Sequence, residues 1–218
     1  MKFQNLSADK IISYHLHLLE RYSKHRTVFS SLTAALRDAR QNTGRNIETG
    51  KDSPGNNKGG NWSGAICYLI IADQIGKCYK PKNKINDSND NAIIRCLKYY
   101  TKLNKKEIDA IYALRNAFAH DYNISNYETK HIHLRHHFTL LNTRLNGILK
   151  LPKNQWLGFP DQKTTDNMTV LSLPSLGDLI ENIYLHIVEL HKKNNLEIIL
   201  KGGAKELQTR YLHFIHDE

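Results

Sequence analysis

Apolar residues recur at steps of three and four positions along much of this chain, a spacing that predicts amphipathic helices. The first such stripe follows Ser7, a residue type that often caps the start of a helix. The stripe consists of Ile11, Ile12, His15, Leu16, Leu19 and Tyr22, and it continues through Val28, Leu32, Ala35 and Leu36. We therefore expect a helix from Ser7 with a helical continuation to about residue 40.

Three helices are predicted in the middle of the chain. Residues 62–77 are apolar on nearly every side, which is typical of a central buried helix, and the helix is expected to end near Gly76. Residues 92–100 carry apolar positions at helical spacing and predict an amphipathic helix. Asn104 and Glu107 match a capping box, so a third helix is expected to begin there.

The pattern changes in the last third of the chain. Short apolar or alternating runs, separated by turn signals, occupy residues 137–141, 148–151 and 168–173. They predict a small antiparallel sheet within a β excursion of about residues 137–173. Ser175 with Asp178 then opens a strongly amphipathic helix, and a last short helix is expected over residues 206–214.

The order of these elements predicts one domain of mainly α class with a small α+β appendage. The 218 residues of the chain suit a single domain with a substantial core. Residues 41–61 contain five Gly and many Asn, and Ile47 is their one large apolar residue. Because such a segment buries little apolar surface, we expect it to be a flexible loop.

Charge and composition narrow the function classes. Lys and Arg number 31 against 21 Asp and Glu, a formal net charge of +10, so polyanions such as RNA are expected to be attracted. Cys67, Cys78 and Cys96 form no CxxC pair and predict neither a disulfide framework nor a zinc knuckle. With no secretory signal pattern and no apolar run of about 20 residues, we expect a cytoplasmic protein without a membrane partner.

The segment LRNAFAHDY, residues 114–122, carries the sharpest chemical pattern, at the end of a predicted helix. Asn116 and His120 are four residues apart and share a helical face, and the long side chain of Arg115 can reach the same place. A guanidinium binds phosphate, an amide positions it, and an imidazole exchanges a proton near neutral pH. These groups suffice to cleave RNA without a metal or a cofactor.

An alternative without chemistry accounts for the same residues. The chain contains ten Arg and 12 His, so an Arg and a His at this spacing also arise by chance. A cation in the last turn of a helix interacts favourably with the helix dipole, which gives His120 a structural role. Arg115 can equally be a solvated or salt-bridged surface residue. From the residues alone, both interpretations stay open.

The pattern Arg115-Asn116-x3-His120-x-Tyr122 resembles the motif of the HEPN superfamily. In that motif an Arg and a polar residue precede a His, and in one branch a Tyr follows two positions later. This branch is the toxin of the HEPN and minimal-nucleotidyltransferase toxin–antitoxin pairs. The resemblance therefore implies a helical bundle and, for a chain near that branch, an antitoxin or regulatory protein as a partner.

The specific part of the resemblance covers only about residues 105–122. It implies one HEPN-like domain over residues 1–218, with the helical regions of 7–40 and 62–121 as its core. The predicted loop 41–61 and the β excursion depart from a minimal HEPN domain. These departures weigh more against the toxin branch than against the superfamily.

The implied activity is metal-independent endonucleolytic cleavage of RNA, in a toxin or anti-phage defence role. Two copies of the motif would meet in a homodimer to form one composite site. His120 would deprotonate the ribose 2′-OH or protonate the leaving 5′-oxygen, Arg115 would stabilise the charged transition state, and Asn116 would position the phosphate. The products would be a 2′,3′-cyclic phosphate and a 5′-OH, and DNA, which lacks the 2′-OH, would stay intact.

Two residues are candidate support for this site. Asp73 is the one acid of the predicted apolar helix, and because an unpaired buried carboxylate is costly, we expect it to have a partner, with Arg115 as a candidate. A partner at a helix end, or a partly exposed position, is the alternative. The resemblance to the toxin branch would make Tyr122 the acceptor of nucleotidyl modification, whereas a packing role is the alternative.

A basic, tyrosine-rich tract lies immediately before the motif. Lys98, Tyr99, Lys102 and Lys105 are its candidate RNA contacts. Lysines can follow the phosphate backbone and a tyrosine can stack on a base. The alternative is a solvated helical face with half-buried tyrosines.

Four histidines, His131, His133, His136 and His137, form the other conspicuous cluster. His133 and His137 have the spacing of a helical metal pair, but no Glu occupies the HExxH position. We therefore expect a basic or solvated face and no metal site.

Two other functions remain possible from the sequence. A non-catalytic HEPN module would bind RNA in a salt-dependent way through Arg115 and His120 without cutting it. A helical dimerisation or interaction protein would not need His120 for its function.

Overall fold

The computed structural model describes residues 6–17, 20–23, 26–52 and 62–216. The α-helices in this part of the chain are α1 Ala8–Leu16, α2 Ser31–Asn42, α3 Trp62–Cys78, α4 Ala92–Tyr100, α5 Lys105–Asp121, α6 Leu173–Lys192 and α7 Gly203–Tyr211. The strands are β1 Glu20–Ser23, β2 Arg26–Ser30, β3 Tyr79–Pro81, β4 Ser125–Asn126, β5 His136–Leu141, β6 Leu149–Lys150, β7 Thr169–Ser172, β8 Leu196–Ile198 and β9 Leu212–His216. The predicted mainly α class with small β elements is confirmed.

Helix α3 lies at the centre of the core, as its sequence predicts. It packs against α2, α4, α5 and α6, and its Leu69, Ile71 and Ile75 are fully buried. The helix ends at Cys78, two residues beyond Gly76, so its predicted end near Gly76 is confirmed. A Cβ at Gly76 would lie 1.8 Å from the carbonyl oxygen of Ala92, so the glycine allows α3 and α4 to approach closely.

The prediction of one long helix from Ser7 to about residue 40 is wrong. Helix α1 begins after Ser7, whose side chain accepts a hydrogen bond from the amide of Lys10, but it ends at Leu16. The chain then forms the antiparallel pair β1–β2, and a second helix starts only after Ser30. Residues 26–30 include Thr, Val and Phe, which favour strands, and they pair with β9 near the other end of the chain. This distant pairing overrides the local helical spacing.

The β excursion exists, but its sheet is mixed and not purely antiparallel. The strand order is β4-β5-β7-β6, and β5 pairs with β7 in parallel, with Phe138 opposite Thr169. The 27 residues between β5 and β7 give the chain room for the crossover that a parallel pair requires. Two further sheets were not predicted: β1-β2-β9, and the pair β3-β8.

The last two helices exist with shifted boundaries. Helix α6 begins at Leu173, because Ser172 caps it by accepting a hydrogen bond from the amide of Ser175. Helix α7 starts earlier than expected and ends at Tyr211. Phe214, expected in that helix, lies in β9, which pairs with β2.

Part of the predicted loop 41–61 is held to α6. Residues 41 and 42 are still helical, and the guanidinium of Arg40 donates to the carbonyl oxygens of Ile47 at 2.7 Å and Glu48 at 3.0 Å. Arg45 donates to the carbonyl oxygen of Gly50 at 3.0 Å and to the carboxylate of Asp178 at 2.9 Å. Residues 53–61 lie outside the described part of the chain, so the flexibility of the loop stays a prediction.

Among the described residues, no helix combines the length and apolar character needed to cross a membrane.

The buried imidazole of His15 gives the fold a pH dependence. Its Nδ1 lies 2.7 Å from the hydroxyl of Tyr79, and its Nε2 lies 2.9 Å from the amide nitrogen of Gln74. The amide nitrogen can only donate, so Nε2 accepts and Nδ1–H donates to Tyr79, which is the neutral form of the ring. Burial lowers the pKa of His15 from 6.5 to about 3. The folded protein therefore keeps this ring uncharged where the unfolded chain protonates it.

We expect the His15 contribution to make the protein less stable as the pH falls from about 6.5 towards 3. In this window the unfolded state binds one more proton, and a full proton corresponds to about 1.4 kcal/mol per pH unit. Urea unfolding at pH 7, 6 and 5 should show this loss, and His15→Gln should have a shallower pH slope. An imidazole signal of His15 that titrates near pH 6.5 in the folded wild-type protein by NMR would contradict the prediction.

Candidate active site

Helix α5 carries the RNAFAHDY motif, and its start and packing follow from local sequence. Asn104 and Glu107 form the predicted capping box, with hydrogen bonds of 3.1 and 2.8 Å. Its core-facing residues are Ile108, Ile111, Leu114 and Phe118, all buried. A second, polar stripe on the helix consists of Lys105, Asp109, Tyr112, Asn116 and His120, at steps of three and four residues. The motif therefore occupies the C-terminal end of this polar stripe.

Arg115 is held in place by an ion pair to the central helix. Its Nη2 lies 3.0 Å from Oδ2 of Asp73, and its Nη1 donates to Oδ1 of Asn116 at 3.3 Å. The expected partnership of Asp73 with Arg115 is confirmed, although the Asp73 side chain is 30 % exposed and so not deeply buried. A guanidinium has five N–H donors, and these contacts use two of them. Within the described part of the chain the other three N–H groups have no hydrogen-bond partner, so they remain for an anion.

His120 lies one helical turn beyond Asn116, on the same side of α5, and is exposed. Within the described ranges its imidazole makes no hydrogen bond or ion pair, so it is not hydrogen-bonded to Arg115 or Asn116 of the same chain. The structure brings Asp73, Arg115 and Asn116 together and leaves His120 about 6 Å further along the helix axis, at 1.5 Å per residue. Its ring is accessible to a bound molecule.

Tyr122 ends the helix in a left-handed conformation, with φ 49° and ψ 44°. Its amide donates to the carbonyl oxygen of Phe118 at 3.2 Å. Its ring centroid lies 5.7 Å from that of Trp62 and 6.0 Å from that of Phe118. These contacts support the packing role for Tyr122. Half of the residue is still exposed, and no described residue is hydrogen-bonded to its hydroxyl.

The candidate RNA contacts of the tract lie at the other end of α5 and are largely paired. Lys98 lies 2.5 Å from the carboxylate of Asp90, a hydrogen bond that raises the pKa of Lys98. The hydroxyl of Tyr99 accepts from the amide of Asp87 at 3.0 Å, which ties Tyr99 to the loop before α4. Lys105 lies 2.5 Å from Asp109 on its own helix, and Lys102 is exposed.

The four clustered histidines do not share one helix. Residues 132–134 form a short 3-10 helix, and His136 and His137 lie in β5. His136 contacts the hydroxyl of Thr169 at 2.7 Å, and His137 contacts the side-chain oxygen of Asn167 at 2.6 Å. Both residues are buried, so the expected solvated face is wrong for them, whereas His131 and His133 are exposed. In the described part of the chain, no group of three or more His, Cys, Asp or Glu side chains is placed to hold a metal ion.

The sequence did not single out Asp109, the most buried member of the polar stripe. Asp109 is 9 % exposed and lines a cavity of about 570 Å³ beside α5. Lys105 lies four residues before Asp109, a spacing that in the sequence predicts an ordinary ion pair on the helix surface. The burial of Asp109 arises because residues 128–134, from a separate segment, form the opposite wall of the cavity.

Comparison of the chain with known family models, characterised proteins and solved structures finds no match.

Proposed function

We propose that this protein is a metal-independent endoribonuclease with an HEPN-like helical bundle. The observation that carries the proposal is the arrangement at the end of α5. A guanidinium fixed by Asp73 lies beside the amide of Asn116, and an accessible imidazole, His120, follows one turn later. This set supplies a cation for a phosphate, a neutral polar group to orient it and a group for proton transfer. The net charge of +10 favours the approach of RNA.

The reaction would proceed by attack of the ribose 2′-oxygen on the adjacent phosphorus. One imidazole removes the 2′-OH proton as the new P–O bond forms. The bond from phosphorus to the 5′-oxygen breaks, and this oxygen takes a proton to become a 5′-OH. Arg115 stabilises the negative charge that gathers on the phosphoryl oxygens in the transition state, and Asn116 positions the phosphate. The other product is a 2′,3′-cyclic phosphate.

A homodimer with a composite site suits this chemistry. Proton removal and proton donation occur at opposite sides of the phosphorus, and two copies of His120 would supply both groups. Two large side chains near the motif are exposed: Ile70, one turn before Asp73 on α3, at 47 %, and Tyr122 at 52 %. We expect them to contribute to the dimer interface. A two-fold axis through this surface would bring the two motifs together.

The biological role we propose is that of a toxin or an anti-phage defence effector, controlled by an antitoxin or another regulatory protein. A second candidate function is a non-catalytic RNA-binding module. One observation favours it: within a single chain His120 has no described partner that orients it for proton transfer. In that case Arg115 and His120 would contact phosphate only, and binding would weaken with salt.

The proposal is tested by incubating size-fractionated protein with end-labelled RNA and with DNA of the same sequence, in EDTA. We expect the dimer fraction to cut RNA and to leave DNA intact, because DNA lacks the attacking 2′-OH. RNA that is bound but uncut would favour the binding module. If the protein neither bound nor cut the RNA, the result would favour a helical interaction protein.

A further inference from the structure

A cavity lies beside α5, about three turns before His120. The cavity of about 570 Å³ opens between α4, the first half of α5 and residues 128–134. Its volume is in the range of sites that hold small molecules, about 300–1,000 Å³. Apolar side chains form one part of its wall, namely Ile94, Leu103, Ile108 and Leu134. A planar, partly apolar ligand with a polar edge would suit this lining.

Asp109 is one of three acids that line the cavity, with Asp90 and Glu128. Its side chain is 13 % exposed, and its Oδ2 accepts a hydrogen bond from Nζ of Lys105 at 2.5 Å. Nε2 of His133 lies 3.9 Å from the same oxygen. Among the described residues, no donor is hydrogen-bonded to the second oxygen, Oδ1. A largely buried carboxylate thus retains acceptor capacity, which a ligand with N–H groups would satisfy.

Aromatic rings border the same cavity. The hydroxyl of Tyr112 accepts a hydrogen bond from Nδ2 of Asn91 at 2.9 Å, so this ring is fixed at the wall. The imidazoles of His131 and His133 also line the cavity, with ring centroids 5.7 Å apart. Such rings stack on nucleobases irrespective of base identity. The selection of a particular base then depends on the hydrogen-bonding groups.

We infer that this cavity binds a guanine base of the RNA strand, and so determines where the proposed nuclease cuts. Lys105 Nζ has N–H groups besides the one that it donates to Oδ2 of Asp109, and Oδ2 can accept a second hydrogen bond. Together with Oδ1, the pair can therefore offer a ligand one donor beside two acceptor oxygens. The Watson–Crick edge of guanine presents the complement: the O6 acceptor, then the N1–H and N2–H donors. Adenine lacks this order, and uracil offers one N–H between two acceptors. Enzymes commonly read a base that is removed from its stack in this way, by its Watson–Crick edge and by stacking.

The position of the cavity fits a strand that also reaches the motif. Asp109 and His120 are 11 residues apart on one polar stripe, which corresponds to about 16 Å along the helix axis. Stacked nucleotides advance about 3.4 Å each, so the strand would span several nucleotides between the guanine and the cut. This inference rests on the proposed function for its link to cleavage, but base binding can be measured separately.

The test measures binding in a His120→Ala background, where the RNA stays intact. Guanosine and inosine 5′-monophosphates are titrated by calorimetry, and a short RNA is compared with the same RNA in which inosine replaces every guanosine. Inosine lacks only the N2 amino group. We expect guanosine to bind at least about tenfold more tightly in both formats. Asp109→Asn should remove this preference, since an amide offers one acceptor and adds an unwanted donor.

Matched variants separate this effect from a loss of fold. Glu189→Gln, an exposed acid paired with Lys192 on α6, makes the same charge change and should keep the full preference. Lys105→Ala, at an exposed position, should weaken binding of guanosine without disturbing the core. Equal affinity for guanosine and inosine, or a preference that survives Asp109→Asn, would overturn the inference. A preference with the mononucleotide alone would overturn the assignment to an RNA base.

These outcomes are independent of the nuclease assay. A guanosine preference that depends on Asp109, in a protein whose wild-type form cuts no RNA, would support the pocket while the proposed function fails. Cleavage by the wild-type protein with no guanosine preference would overturn the pocket while the proposed function stands.

Discussion

Replacing His120 with alanine is expected to lower the rate of RNA cleavage by about 10²–10⁴-fold. Histidine is the side chain that most often transfers protons near neutral pH, and the motif contains no other histidine. Because His120 is exposed and unpaired in the described chain, the substitution should change the free energy of unfolding by less than about 0.5 kcal/mol. Single-turnover cleavage of labelled RNA in EDTA measures the effect.

A second histidine provides the control for this experiment. His213 is exposed and lies in β9, whose sheet is formed with β1 and β2. His213→Ala should cut RNA at the wild-type rate. RNA binding by His120→Ala should persist, since Arg115 is unchanged. Cleavage by His120→Ala at the wild-type rate would show that the motif is a coincidence of spacing.

Glu181→Ala is expected to destabilise the fold by about 3–5 kcal/mol, because it leaves the buried guanidinium of Arg40 without its counter-ion. Arg40 is 1 % exposed and Glu181 is 6 % exposed. Nε and Nη2 of Arg40 donate to the two oxygens of Glu181 at 2.9 and 2.7 Å. The hydroxyl of Tyr68 donates to the same carboxylate at 3.0 Å, and burial together with the charge of Glu181 raises the pKa of Tyr68, which keeps it a neutral donor.

Urea unfolding of the variants at pH 7 measures this cost. Glu189→Ala changes an exposed acid on the same helix and should alter the free energy of unfolding by no more than about 0.5 kcal/mol. Glu181→Gln keeps the shape of the side chain and part of its hydrogen bonding. Its loss in free energy of unfolding should therefore lie between those of Glu189→Ala and Glu181→Ala. If Glu181→Ala were as stable as Glu189→Ala, the pair would not hold α2 against α6 in solution.

The elements that sequence reasoning located well are those whose signals are local. The capping box of Asn104 and Glu107 places the start of α5 correctly, and the apolar run of residues 62–77 identifies the central helix. The ion pair of Asp73 with Arg115 could also be predicted from the sequence. A single acid in an apolar helix needs a partner, and the motif supplied a candidate cation.

The remaining features depend on contacts between distant residues. Residues 26–30 form a strand because residues 212–216 pair with them, and no local spacing reveals that partner. The parallel pairing of β5 with β7 and the contact of Arg40 with Glu181, 141 residues apart, have the same origin. The cavity at Asp109 is likewise built from three separate segments. In the sequence, Asp109 therefore looks like an ordinary member of a surface ion pair.

The most direct test of the central claim is the chemistry of the cut ends. Wild-type protein and His120→Ala would be incubated with RNA in EDTA, and the termini at each cut identified by enzymatic labelling and mass spectrometry. We predict a 2′,3′-cyclic phosphate on one product and a 5′-OH on the other, with neither formed by His120→Ala. Cuts that leave a 3′-OH and a 5′-phosphate, or cuts that His120→Ala makes equally well, would contradict the account.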